Sequence, residues 1–208
     1  MPAAATERRW RRRSRSRSDE PRFGLPALAA VRRPGSSVVI GVLVYRGVTT
    51  AEIDAPVTRL ADRLDADVRF VGSAAGSLHG VEPSRTVIVD SDPGRVGPVD
   101  VLVVPGGLGW RAVVDTPSLR EWIADAAGAA GAVLAVSTGS LLLAAVGRLA
   151  GREATGHWLA ERDLERLGAV VTSDRTASDE AGRLVTASGA RAALTVVDAI
   201  ADRVRWSA

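Results

Sequence analysis

The sequence predicts an α/β fold, a single-domain, doubly wound and mostly parallel sheet with helices on both faces. Three observations carry that prediction. A continuous β-branched run at residues 37–45 (SVVIGVLVY) has the pattern of a strand covered on both faces. Strand-like and helix-like segments alternate after it, and one strand, Ala132–Val136, passes straight into a helix with no room for a loop. A chain of 208 residues suits one core of this kind.

The elements follow in order. After the first strand, Ile53, Val57, Leu60 and Leu64 recur at helical spacing and define one apolar face. Further strands are expected at residues 67–72, 99–104 and 132–136, with shorter ones near 169–172 and 183–187. Helices are expected at residues 118–129, 139–146, 157–167 and 190–204. Ligands of such sheets collect beyond the carboxyl ends of the strands, so residues just after strands are the ones to inspect.

Composition narrows the functional classes. Apolar residues make up 46% and charged residues 25%, which excludes a wholly disordered chain and a polytopic membrane protein. The absence of cysteine rules out disulfides, thiolate metal sites and cysteine nucleophiles. No metal and no cofactor are expected. All 27 basic residues are arginine, as GC-rich coding produces, and they are unevenly placed. Residues 1–36 hold ten Arg against Glu7, Asp19 and Glu20, whereas the remainder carries a net charge of −4. Residues 1–36 are therefore read as a disordered Arg/Ser-rich tail, able at most to hold nucleic acid or anionic lipid weakly. Residues 37–204 are read as the domain, and 205–208 as the C-terminal end. The apolar stretch within the tail is too short, and too interrupted by Pro26, for a twin-arginine signal, so a cytoplasmic location is expected. Residues 126–147 lack charge over a length that spans a bilayer, but they are mostly Ala and Gly and read as a buried strand and helix, with no membrane partner expected.

Four pieces carry possible chemistry. Strand Ala132–Val136 runs into Ser137-Thr138-Gly139-Ser140, a strand–turn–helix in which Ala135 and Gly139 flank Ser137 as small residues flank a nucleophile elbow; a helix cap by Ser137 or Thr138 explains the same residues. The strand at 99–104 ends in Pro105-Gly106-Gly107-Leu108-Gly109, whose N–H groups suit an oxyanion hole or a plain tight turn. His157 stands at the start of a helix, as a catalytic group or a cap. Glu52 follows the first strand, where Thr49-Thr50-Ala51-Glu52 also fits a capping box.

Taken together these pieces resemble the DJ-1/PfpI superfamily, whose fold is flavodoxin-like and similar to class I glutamine amidotransferases. The resemblance covers about residues 37–204 and rests on EIDAP at 52–56, VVPGG ending at Gly107, AVSTGS around Ser137 and ATGHW ending at Trp158. It lies nearest the isonitrile-hydratase branch and the amidotransferase-like sensor domains of AraC-type regulators. The resemblance implies catalytic positions at Ser137, His157 and Glu52, substrate contacts at Gly106, Gly107 and Thr138, a small-molecule ligand and a homodimer. The family's nucleophilic cysteine falls at Ser137, and with the sequence ending at Ala208 the helix-turn-helix domain of the regulators is not expected. Two functions follow as expectations: a small-molecule-binding or accessory, regulatory domain without cysteine chemistry, or a hydratase or hydrolase of the isonitrile-hydratase type acting through Glu52 and Ser137. An active enzyme of this kind would be a hydro-lyase or a serine hydrolase.

Overall fold

The β-branched run forms β1 (Val39–Leu43), and residues 40–44 are all buried, as a two-faced strand requires. A computed structural model describes residues 38–82 and 85–207. The expectations for residues 1–36 lie outside the described residues.

From β1 the chain passes into α1 (Ala51–Leu64), whose Ile53, Val57, Leu60 and Leu64 are all buried as their spacing predicts. Each such burial stabilises the fold by about 1.5–3 kcal/mol. Then come β2 (Asp67–Val71), a hairpin of β3 (Leu78–Glu82) and β4 (Arg85–Ile88), and β5 (Val101–Val104). Two helices follow, α2 (Trp110–Val114) and α3 (Pro117–Ala129), then β6 (Ala132–Val136) and α4 (Gly139–Ala145). The chain continues through β7 (Glu153–Ala154), a 3₁₀ turn at Trp158–Ala160, α5 (Glu161–Arg166), β8 (Val170–Val171), β9 (Thr176–Ser178) and β10 (Leu184–Ala187), and ends in α6 (Ala190–Ser207).

The main sheet has the order β2-β1-β5-β6-β10-β9. Its pairs are parallel except for the edge strand β9, which runs antiparallel to β10. Helices α1 and α6 pack against each other on one face, while α2, α3 and α4 cluster on the other. The outer sides of α1 and α6 are tied by Arg59–Asp198 and Arg63–Asp202, exposed pairs that orient the helices more than they stabilise them. The chain moves outward from β1 to β2 on one side and from β5 to β6 on the other, so the sheet's switch point lies between β1 and β5. No helix among the described residues is long and apolar enough to cross a membrane.

Expected and observed elements differ in detail. The short strand expected near 169–172 forms as β8, paired with β7 in a two-stranded ladder separate from the main sheet, with Val170 exposed. The expected helix at 157–167 is a 3₁₀ turn followed by a six-residue α-helix, with His157 outside both. Helix α6 continues to Ser207, three residues beyond its expected end at residue 204.

Candidate functional site

Strand β6 is buried along its whole length, and just past its end a hydrogen bond from Ser137 N–H to the Ala187 carbonyl at 2.7 Å pins residue 137 to β10. The next residues must turn at once into α4. Ser137 accordingly takes φ of 59°, a left-handed conformation that costs an L-residue about 1–2 kcal/mol and persists only where the surroundings impose it. Gly139 makes the turn possible: a Cβ there would overlap the Val104 backbone at the end of β5. The strand–turn–helix read from sequence is therefore an elbow. The alternative, a hydroxyl cap on α4, is not what forms, since Thr138 makes no side-chain cap and its Oγ1 instead accepts from Gly107 N–H at 2.8 Å.

The β5 end meets the elbow from the side. Gly106 N–H donates to Glu52 Oε2 at 2.7 Å, and a Cβ on Gly106 would stand 2.7 Å from that oxygen and 2.8 Å from Thr138 N. The loop is clamped from below by Thr49 N–H to Gly106 O at 2.8 Å and Leu108 N–H to Gly47 O at 3.0 Å. Buried Tyr45 adds a hydroxyl donated to Pro105 O at 3.0 Å, and burial first, then the Glu52 charge, pushes its phenol pKa upward. The N–H groups of residues 106–108 are thus engaged within the protein. An oxyanion hole built from Gly106 and Gly107 is not the local arrangement, although Gly107 still lines the cleft.

Glu52 is 9% exposed and Ser137 5%. The capping box is not made: Glu52 N–H donates to the Thr49 backbone carbonyl, and the carboxyl crosses to Gly106 and the Ser137 hydroxyl. Burial raises the Glu52 pKa above its ordinary value, and the hydrogen bonds from Gly106 and Ser137 only partly oppose this.

His157 approaches by another route. The Ser140 hydroxyl donates to Thr155 O at 2.7 Å, and Thr155 N–H donates to Thr186 Oγ1 at 2.9 Å, which fastens the preceding segment beside the elbow. A Cβ on Gly156 would lie 2.9 Å from Ser137 O, so glycine permits the close passage. The ring then turns onto its own chain. His157 Nδ1 accepts from Leu159 N–H at 3.2 Å and caps the 3₁₀ turn, and the ring lies 5.7 Å from that of Trp158. In the neutral ring this leaves the proton on Nε2, a donor rather than a base. Of the two expected roles for His157, the cap is formed, and among the described residues no hydrogen bond joins it to Ser137.

These residues share one cleft of about 510 Å³. Its floor holds Glu52, Ser137, Thr138 and Gly107, with His157 on one wall. Sequence reasoning passed over Leu108, Trp110, Arg111, Leu141, Leu159 and Asp163, which line it together with Thr49 and Ala160. The Trp110-Arg111 pair directly after the glycine loop was the available signal, since that loop ends a strand at the ligand side of the sheet. Among the described residues no group of three or more His, Asp or Glu is placed to hold a metal ion.

Known proteins share this frame. The chain is 32% identical over 158 residues to the isonitrile hydratase of Pseudomonas putida, an overlap of 74% of this chain and 67% of that protein. A THiJ/PfpI family protein from Pseudomonas syringae superposes with a TM-score of 0.71 at 25% identity, over 82% of this chain and 72% of that one. A two-domain protein of Anabaena variabilis with DJ-1/ThiJ/PfpI-like and ferritin-like domains gives 0.73 at 21% identity, covering 81% of this chain, which spans 48% of that longer one. Residues 38–203 match the DJ-1/PfpI family, and the chain belongs to it.

Proposed function

We propose that this domain binds a small molecule in the elbow cleft, as a DJ-1/PfpI protein in which Ser137 occupies the position of the family's nucleophilic cysteine. The observation that carries the reading is the partner of the Ser137 hydroxyl: it faces the Glu52 carboxyl, while His157 holds its Nδ1 on Leu159. A thiol of pKa about 8.5 ionises in such a setting, but a serine hydroxyl needs a general base within hydrogen-bond reach. Burial disfavours the carboxylate form of Glu52, the form a general base would need. Glu52, Ser137 and Thr138 then serve as polar contacts at the floor, with Gly107 beside them, in an accessory or regulatory protein. A homodimer in the cytoplasm accompanies this reading, with residues 37–204 as the folded unit and the basic tail before it. Sedimentation of the full chain and of a truncation beginning at Ser37 tests both assignments.

A second reading is favoured by the raised Glu52 pKa and the 32% identity to an isonitrile hydratase. Here Glu52 is the acid. It gives its proton to the terminal carbon of an isonitrile, water adds to that carbon, and the carboxylate recovers a proton from the added water, leaving an N-substituted formimidic acid that tautomerises to the formamide as its remaining O–H proton moves to nitrogen. Ser137 orients the reacting carbon and forms no covalent bond. One experiment separates the readings. The protein is incubated with a small alkyl isonitrile and followed by proton NMR, with fluorophosphonate labelling in parallel. Shifts without turnover or label support the binder. A formyl signal that disappears in Glu52→Gln establishes the hydratase, and label at Ser137 that needs His157 overturns both.

A further inference from the structure

Given the cleft as a ligand site, we propose that it selects molecules carrying a carboxylate, and that Arg111 recognises that group at the mouth while the ligand's other end reaches Ser137. The inference rests on the reading of the cleft given above and specifies what enters it.

Arg111 is the arginine among the described lining residues. Its guanidinium carbon lies 4.4 Å from the centre of the Trp110 ring, which supports the flat cation on one side. Its polar contact is one long bond, Nη2 to Asp163 Oδ2 at 3.3 Å, and the side chain is 70% exposed. A guanidinium offers two parallel N–H groups, and a carboxylate that enters end-on uses both, so this single-pronged pair is readily exchanged.

The exchange does not strand Asp163. Its other oxygen, Oδ1, accepts from Arg166 Nη1 at 3.2 Å, one helical turn along α5. Arg166 does not line the cleft, so it continues to pair with Asp163 when Arg111 turns to a ligand. The remaining lining is compatible with an anion. Ser137 and Thr138 are neutral, Leu108, Leu141 and Leu159 are apolar, and burial favours the neutral form of Glu52. The occupant is thus a short molecule with a carboxylate at one end, an apolar middle and a neutral polar head.

The test uses the full chain and two probes that differ only in charge, 3-phenylpropanoate and 3-phenylpropanamide, titrated by amide-resolved NMR. The carboxylate is expected to bind about tenfold more tightly, with shifts at Ser137, Thr138 and the Trp110 indole. Arg111→Gln should bring the two within about twofold, and Arg111→Lys should restore part of the preference. Arg166→Gln should weaken carboxylate binding about threefold, because Asp163 then competes harder for Arg111, and Asp163→Asn should strengthen it. Equal affinity of both probes at the elbow, or a preference that survives Arg111→Gln, overturns this inference and leaves the pocket standing. An absence of shifts at Ser137 and Thr138 with either probe overturns the pocket reading and this inference together.

Discussion

Ser137 and His157 lie 20 positions apart, line the same cleft, and are held in opposite ways. Ser137 sits at the end of a strand buried on both faces, 5% exposed, in a left-handed conformation imposed by the neighbouring strands. His157 sits on a connection outside the main sheet, and its ring nitrogen is used to cap a turn of its own chain. A side chain at a strand end is delivered where the sheet directs it. One on a connection satisfies its nearest backbone donor first, and that local bond occupies Nδ1 of His157.

The difference can be broken most sharply at the turn itself. Gly139→Ala forces a methyl into the Val104 backbone and is expected to cost about 3 kcal/mol, the upper range for overpacking, in chemical denaturation. Gly151→Ala on the connection, where φ is 69° and no atom stands nearby, should cost about 1 kcal/mol from backbone strain alone. Similar losses at both sites would show that the elbow is not specially constrained.

Ser137→Cys asks whether the elbow still favours an anion. A thiol placed beside the Glu52 carboxyl should alkylate roughly tenfold faster at pH 7 than a free cysteine, as a modestly depressed thiol pKa implies. Pairing it with Glu52→Ala should remove most of that gain. A rate equal to free cysteine in the single variant would mean that the serine position lacks the electrostatics expected of it.

Stability should also carry the mark of Glu52. Its folded pKa lies above the ordinary value of 4.5, so the folded state holds this proton more tightly than the unfolded state. The contribution is fully present below about pH 4.5 and is lost as pH rises through the raised folded value. Wild-type stability measured against Glu52→Gln should therefore decline across that window. A difference that is flat or rises with pH would place the carboxylate, not the acid, in the folded site.

The smallest effect belongs to His157. His157→Ala removes one acceptor from the Leu159 N–H and should lower stability by about 0.5–1 kcal/mol, with little change in the reactivity of the Ser137→Cys thiol. A large fall in that reactivity would join the two regions into one catalytic pair after all.

What the sequence determined by itself is the frame. Its β-branched runs, the Ile53-Val57-Leu60-Leu64 face and the loopless step from Val136 to Gly139 are one-dimensional patterns that a layered α/β sheet satisfies, and they put Gly106 and Ser137 just past strand ends and Glu52 in the first turn of the helix that follows β1. The β3–β4 hairpin, the short strands β7 and β9 and helix α2 were not legible, because LHGVE, EA and TAS lack the continuous apolar run of a two-faced strand and the five residues of α2 span little more than one turn. Tertiary structure alone decided the partners of the polar groups. Thr49-Thr50-Ala51-Glu52 reads equally as a cap or as a site residue, and burial against Gly106 settled where the carboxyl goes. His157 had the same two options, and its ring took the local one, accepting from Leu159 N–H. Such alternatives differ by about one hydrogen bond, 0.5–1.5 kcal/mol, too little for local sequence to resolve. The packing of distant strands supplies the difference.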